Sequence, residues 1–188
     1  MSEIHIDPTF YTCAPDGTNR LEKEMRTYQL LDSLSIPYVR LDHDITATIE
    51  SCHKVEEMFQ IEICKNLFLC NTQKTKFYLL MLAGNKKFKT AEVSRQINSP
   101  RLSFANEDYM EKFLDLSPGS VTVLGLMNDK NNDVQLLIDK DILSQQYFGC
   151  HPCINTSSLK LKVTDLIDKI LPAMHHEPII VELSSEEI

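Results

Sequence analysis

The stretch Lys65-Asn66-Leu67-Phe68-Leu69-Cys70-Asn71-Thr72-Gln73-Lys74-Thr75-Lys76-Phe77-Tyr78-Leu79-Leu80-Met81-Leu82 decides the fold class. Two apolar runs of strand length, Asn66 to Cys70 and Phe77 to Leu82, flank Gln73-Lys74-Thr75, a spacer short enough for a hairpin. On the N-terminal side the period changes. Leu21, Met25, Tyr28, Leu31 and Leu34 recur at helical spacing, predicting a helix from a Thr18 or Asn19 cap to about Ser35. Tyr38 to Leu41 reads as a short strand after Pro37, and Thr48 to Gln60 as a second helix. On the C-terminal side, Ala91 to Ile97 and Glu107 to Leu114 read as helices, and Ser117-Pro118-Gly119 turns the chain into a strand over Val121 to Leu126. Further strands are expected at Val134 to Ile138 and within Pro152 to Val163, then a helix that Thr164 caps and that runs to Leu171. Pro178 to Leu183 reads as a last strand or an ordered tail. Strands joined as hairpins, with helices between other pairs, indicate a mixed α+β fold curved around one core. Pro8, Pro15 and Gly17 mark 1–17 as an irregular N-terminal arm, which leaves 18–188 as a single domain without repeat or linker.

A chain of 188 residues, 43% hydrophobic and 24% charged, can bury a core without covalent staples. No apolar run approaches the ~20 residues of a membrane span. The opening Met1-Ser2-Glu3-Ile4-His5 lacks the features of an export signal, so the six cysteines are expected to be reduced and the protein cytoplasmic. The net charge of −8 speaks at first against a polyanionic partner. Its distribution does not. Residues 65–101 carry a net +7, from seven other basic residues beside Lys65 against the single acid Glu92. Such a sector either attracts a polyanion to one face or decorates the solvated outsides of two strands and a helix. With five glycines and no Gly-rich phosphate loop, no Gly-x-Ser-x-Gly elbow and no His-Glu-x-x-His, several common enzyme classes are excluded.

Three segments could carry chemistry. Lys65-Asn66 stands at the mouth of a strand, where a lysine can polarise a carbonyl or bind phosphate, or simply snorkel. Pro118-Gly119-Ser120 offers close backbone approach and exposed N–H groups, or an ordinary turn. Gly149-Cys150-His151-Pro152-Cys153-Ile154-Asn155-Thr156 admits three readings: a redox Cys150–Cys153 pair, part of a zinc site with His175 or His176, or a functional His151–Asn155 pair. His175-His176 otherwise suit a solvated helix C-terminus.

In order, His43 with Thr48 and Glu50, Lys65-Asn66-Leu67-Phe68-Leu69, Arg101-Leu102-Ser103-Phe104-Ala105, Leu116-Ser117-Pro118-Gly119-Ser120-Val121-Thr122 and Gly149-x-His151-Pro152 with Asn155-Thr156 resemble the YbaK-like superfamily of prolyl-tRNA editing proteins. The resemblance spans about residues 20–172. Its Lys-Asn-Leu-Phe-Leu form is closer to free-standing alanyl-tRNA(Pro) deacylases of the ProX/PrdX type than to the cysteinyl-tRNA(Pro) branch. Val123 departs from the proline common in the family four positions after the loop glycine.

The resemblance implies a barrel-like mixed sheet of six or seven strands surrounded by helices, with neither metal nor organic cofactor. It implies a hydrolase that removes alanine from mischarged tRNA(Pro), completing a double sieve for a synthetase that cannot exclude the smaller amino acid. In that scheme Lys65, His151 and Gly119 are catalytic, while Asn66, Ser120, Asn155 and His43 bind substrate. Lys74, Lys76, Lys86, Lys87 and Lys89 would contact the tRNA acceptor end. Prolyl-tRNA synthetase is a further conceivable partner; DNA and membrane are not expected. The alternatives are cysteinyl-tRNA(Pro) deacylation, a non-catalytic amino-acid or tRNA binding module of the same fold, and a thiol-redox protein built on Cys150 and Cys153.

Overall fold

The computed structural model describes residues 5–45 and 49–185, with side chains left out at 49–51. Thr48 and the Glu50 side chain therefore lie outside the described residues. In chain order the elements are α1 (Glu22–Ser33), β1 (Val39–Asp42), α2 (Ile49–Phe59), β2 (Lys65–Asn71), β3 (Phe77–Leu82), α3 (Thr90–Gln96), β4 (Leu102–Phe104) and α4 (Glu107–Leu114). A 3₁₀ turn (Val123–Asn128) leads to β5 (Val134–Asp139), α5 (Lys140–Leu143), β6 (Tyr147–Cys150) and β7 (Ser157–Lys162). The closing helix begins as α6 (Val163–Asp165), passes through a π turn (Leu166–Ile170) and ends as α7 (Leu171–Ala173) before β8 (Ile179–Val181).

All six residues of β3 are buried, which explains why its sequence does not alternate: both faces are covered. Its hairpin partner β2 runs from Lys65↔Leu82 to Cys70↔Phe77 and grades from an exposed Lys65 to a buried Asn71. Around this pair a five-stranded sheet forms in the order β4-β2-β3-β5-β8, with β5 and β8 parallel to their neighbours. A second, antiparallel sheet has the order β1-β7-β6. A parallel bridge between Ile63 and Gly149 links the two just before β2. The mixed α+β expectation agrees with this architecture, and the described strands number eight because the short β4 and the C-terminal β8 both pair. One face of the larger sheet packs Phe68, Leu79, Met81 and Leu136 against α1 and α4; the other packs Leu69, Leu80 and Leu137 against Val93, Val181 and Leu183.

Three local expectations are corrected. Helix α1 starts at Glu22 because Gly17 and Asn19 both take positive φ, and its N-cap Leu21 offers no side-chain cap. The last helix begins at Val163, with Lys162 rather than Thr164 at the N-cap position. Val121 to Leu126 is not a strand. Val123, Leu124, Gly125 and Leu126 form a 3₁₀ turn, all of them buried, and the Thr122 hydroxyl oxygen accepts from the Leu124 N–H at 3.4 Å. Burial on every side gives such a turn the apolar composition of a strand. The described part of the arm, 5–17, is irregular but tied down: Ile6 bridges His43, Tyr11 bridges Arg40, and the Arg40 guanidinium sits 4.3 Å above the Tyr11 ring. It thereby covers the outer edge of β1.

Lys86, only 1% exposed, places its ammonium 3.0 Å from Asp139 and 2.7 Å from Asp141. Removing one member of a buried pair leaves the other uncompensated. Lys86→Met is therefore expected to cost about 3–5 kcal/mol in urea unfolding, and Lys86→Met with Asp139→Leu distinctly less. A loss of about 1 kcal/mol or less for the single variant would show that Asp139 finds other partners.

Candidate active site

A cleft of about 300 Å³ opens where three segments converge. Asn19 to Glu24 at the start of α1 form one wall, Ser117, Pro118 and Ser120 a second, and Cys153 to Thr156 the third. Gly119 has φ +86°, and a Cβ there would lie 3.1 Å from Asn155 Nδ2. Thus the glycine turn and the asparagine, 36 residues apart in sequence, touch because no side chain intervenes. The Ser120 hydroxyl is spent inside the turn: it donates to the Ser117 carbonyl at 2.8 Å and accepts from the Ser117 N–H at 3.2 Å. The Ser120 backbone N–H is spent in the same turn, donating to the Ser117 carbonyl at 3.0 Å. Opposite, Cys153 takes φ 63°, which bends the chain between β6 and β7 and brings Asn155 to the cleft.

His151 and His43 lie together, with ring centroids 6.3 Å apart. His151 Nδ1 is 2.9 Å from the Ser157 carbonyl, which can only accept, so Nδ1 carries the proton and Nε2 is the acceptor. His43 is fixed the same way: Nδ1 donates to the Asp44 carbonyl at 2.7 Å, and Nε2 accepts from the Ser158 hydroxyl at 2.9 Å. Burial pushes His151 down to about 4, with the Ser157 carbonyl opposing and His43 adding to the shift. Burial likewise lowers His43, against the pull of the Asp44 carbonyl. Both rings are neutral hydrogen-bonding groups at neutral pH rather than proton reservoirs.

Sequence reasoning missed the charges behind them. Asp42 accepts from Arg20 at 2.6 Å, from Arg40 at 2.5 Å and from the Ser157 hydroxyl at 2.6 Å. Burial would raise the Asp42 carboxyl, but the bonds from Arg20 and Ser157 and the Arg40 charge outweigh it and hold it below the usual carboxylate range. Arg20 also reaches Glu24 at 3.0 Å, and both line the cleft. Glu24 is 1% exposed and its Oε2 has no partner; burial raises its carboxyl, against the Arg20 charge. The signal available was the i,i+4 spacing of Arg20 and Glu24, which reads equally as an exposed helix flank.

Lys65 and Asn66 stand at the β2 mouth and are not among the residues lining the cleft. The Lys65 ammonium donates to the Lys86 carbonyl at 2.8 Å. Asn66 Oδ1 is buried without a partner. The β2 mouth connects to the His151 segment through Cys64, whose thiol donates to the Gly149 carbonyl at 3.4 Å. Among the expected tRNA contacts, Lys74, Lys76, Lys87 and Lys89 are exposed, with Lys89 also 3.8 Å from Glu92. Lys86 departs from that expectation: its charge is enclosed by Asp139 and Asp141 and cannot meet a phosphate. Cys150 and Cys153 are buried free thiols, and burial pushes both up, Cys153 to about 11, which removes the reactive thiolate a redox pair requires.

Residues 43–169 match the family model of the aminoacyl-tRNA editing domain. The chain belongs to that family. A relative described as prolyl-tRNA editing protein ProX, from Acetoanaerobium sticklandii, is 34% identical over 76% of this chain and 87% of its own length. Prolyl-tRNA synthetase associated domain-containing proteins 1 are more distant: that of Danio rerio is 26% identical over 86% of each chain, and its Homo sapiens counterpart 27% identical over 81% of this chain and 92% of its own. A crystal structure described as a candidate trans-editing enzyme for prolyl tRNA synthetase superposes with TM-score 0.64 over 88% of this chain and all of the other, at 13% identity, and so shares the fold. The editing domain is an aminoacyl-tRNA deacylase, an ester hydrolase. Among the described residues no helix is long and apolar enough to cross a membrane.

The neutral histidine of the editing domain sets a pH signature. Between its folded value of about 4 and the ordinary 6.5, the unfolded chain binds the proton that folded His151 refuses. Its contribution to stability is therefore complete above 6.5 and is lost as pH falls toward 4. His151→Gln is expected to flatten stability over that window, and the His151 ring resonances to stay constant between pH 6.5 and 8. A His151 titration midpoint near 6.5 by NMR would show the ring to be solvated and charged in mild acid.

Proposed function

We propose that this editing domain hydrolyses mischarged tRNA(Pro), with alanine as the preferred aminoacyl group. The observation that carries it is the close wall that Ser117, Pro118, Ser120 and Asn155 form, which Gly119 permits because a Cβ there would stand 3.1 Å from Asn155 Nδ2. A small aminoacyl group fits against such a wall, and the larger, ring-constrained proline meets it first. Support for the tRNA comes from the family and from the relative whose name specifies prolyl-tRNA editing.

In the reaction, water oxygen adds to the ester carbonyl carbon, and the C–O bond to the terminal ribose breaks. The ribose oxygen takes up a proton, and free alanine leaves. Among the described residues lining the cleft, the one carboxylate is Glu24, which Arg20 engages at 3.0 Å. His151 is too weak a base to store the proton; its Nε2 lone pair orients the attacking water or a ribose hydroxyl, and the substrate's own 2′-hydroxyl can relay the proton. The backbone N–H of Gly119 serves the developing oxyanion, while that of Ser120 holds the turn by donating to the Ser117 carbonyl. Asn155 holds the ribose or carbonyl, with Asn66 and His43 as supporting polar groups. Lys65 supplies positive charge toward the ester or the terminal phosphate. Catalysis is then chiefly positioning and electrostatic stabilisation.

Single-turnover release from labelled alanyl-, cysteinyl-, seryl- and prolyl-tRNA(Pro) tests the assignment. Alanine should leave fastest and proline slowest; faster cysteine release would reassign the substrate, and no release at all would make the domain a binding module. Gly119→Ala adds a methyl group beside Asn155 at a left-handed position, a conformation that costs about 1–2 kcal/mol. Release of alanine should fall by about tenfold or more with the fold retained. Lys65→Ala should slow release at saturating enzyme; recovery of the full rate there would make Lys65 a tether for tRNA instead.

A further inference from the structure

We propose that Phe104, supported by Phe88, is a stacking platform for an unpaired nucleotide at the 3′ end of the tRNA acceptor. The proposal rests on the deacylase reading, since it takes the substrate to be a tRNA. Phe104 is 64% exposed on β4, a strand at the edge of the larger sheet. Exposing a phenyl ring on a sheet edge forfeits its burial and invites association, so its presence there calls for a partner. The ring is not loose. Phe88 packs on the core beneath α3 and meets Phe104 edge to face, with centroids 5.7 Å apart at 60°. A fixed ring with most of its surface uncovered is what a nucleobase stacks on.

Charge selects the occupant. Lys87 and Lys89 flank Phe88, and Arg101 precedes β4; all three are exposed. They belong to the 65–101 segment of net +7, whose one acid, Glu92, is engaged by Lys89 and Ser184. Glu107 and Asp108, at the start of α4, mark the far limit of the patch. Register ties the patch to Lys65. Leu69 pairs directly with Phe104, and residues 65, 67 and 69 share one face of β2. Lys65 and Phe104 therefore stand at opposite ends of the face that the smaller core covers, about 13 Å apart along the strand at ~3.3 Å per residue, with Leu67 and Leu69 packed between them. A single strand whose bases stack on Phe104 would pass over the outside of this core, past Lys87 and Lys89, to bring its terminal ribose toward Lys65. Paired bases expose no stacking face along a duplex, so the unpaired 3′ end is the part of a tRNA that fits.

Binding of the full chain to a tRNA(Pro) transcript, and to the same transcript trimmed of its unpaired 3′ nucleotides, tests the platform. Phe104→Ala and Phe104→Leu should each weaken binding to the intact transcript by about tenfold, Phe104→Trp should keep it, and none should alter binding to the trimmed one. The salt dependence should stay as in the wild type for Phe104→Ala, while Arg101→Ala should reduce its slope by about one phosphate contact. Unchanged affinity of Phe104→Ala, an equal loss on the trimmed transcript, or full retention by Phe104→Leu would overturn the proposal; the last would mark the patch as an apolar protein-docking surface. Alanine release by the wild-type chain, measured in the same preparation, judges the deacylase reading separately. A chain that releases nothing yet shows the Phe104 pattern keeps the platform and loses the reaction.

Discussion

The Asp42 carboxylate ties three elements together at once: Arg20 from the approach to α1, Arg40 from its own strand, and the Ser157 hydroxyl from β7. Asp42 and Ser157 are direct partners in the β1–β7 ladder, so the side-chain bond repeats a contact the backbone already makes. Arg20 adds what the ladder cannot, fixing the helix that forms one wall of the cleft. The Ser157 carbonyl then accepts the His151 proton and sets that ring's tautomer. A single partly buried anion thus positions a wall, a strand and an imidazole. Its value is geometric more than energetic, since an ion pair withdrawn from water regains little beyond its desolvation penalty.

The two conspicuous lysines divide the work that sequence would give to either. Lys86 is buried against Asp139 and Asp141, so its backbone is held still, and its carbonyl receives the ammonium of Lys65. A long flexible side chain at a strand mouth would otherwise sample many rotamers at an entropic cost of up to about 2 kcal/mol on ordering. Here one of its three donors is already committed, and the ammonium is steered along the β2 mouth. The buried charge serves the exposed one.

The larger sheet separates packing from presentation. One face carries the main core beneath α1 and α4, and the residues adjoining the cleft, Leu116 and Cys153, belong to that core. The other face carries the smaller core beneath α3 and the C-terminal tail, where Gln96 exchanges two hydrogen bonds with the Glu182 backbone. At the margin of this second core stand Phe88 and Phe104 among cations. The smaller core leaves aromatic surface uncovered, and the charges that keep such surface soluble also favour a polyanion.

The amino-acid sequence by itself determined the hairpin of β2 and β3, the helices α1, α3 and α4, the mixed α+β class and the segments that meet at the site. Those features depend on period, composition and turn chemistry, all of which are local. Gly119 and Asn155, which the structure brings together, each stood out in the sequence as part of a short segment of unusual composition, whereas Lys65 and His151 are not among the residues that line the cleft. Tertiary structure alone decided that Gly119 touches Asn155, that Lys86 is enclosed while Lys87 is not, and that Val123 to Leu126 coil into a turn. It also disclosed Arg20, Glu24 and Asp42, ordinary charged residues in sequence whose meaning arises from partners as far away as Ser157. The physical reason is common to all of these. Burial and long-range hydrogen bonding set the state of a charge, and neither is a property of the residues next to it in the chain.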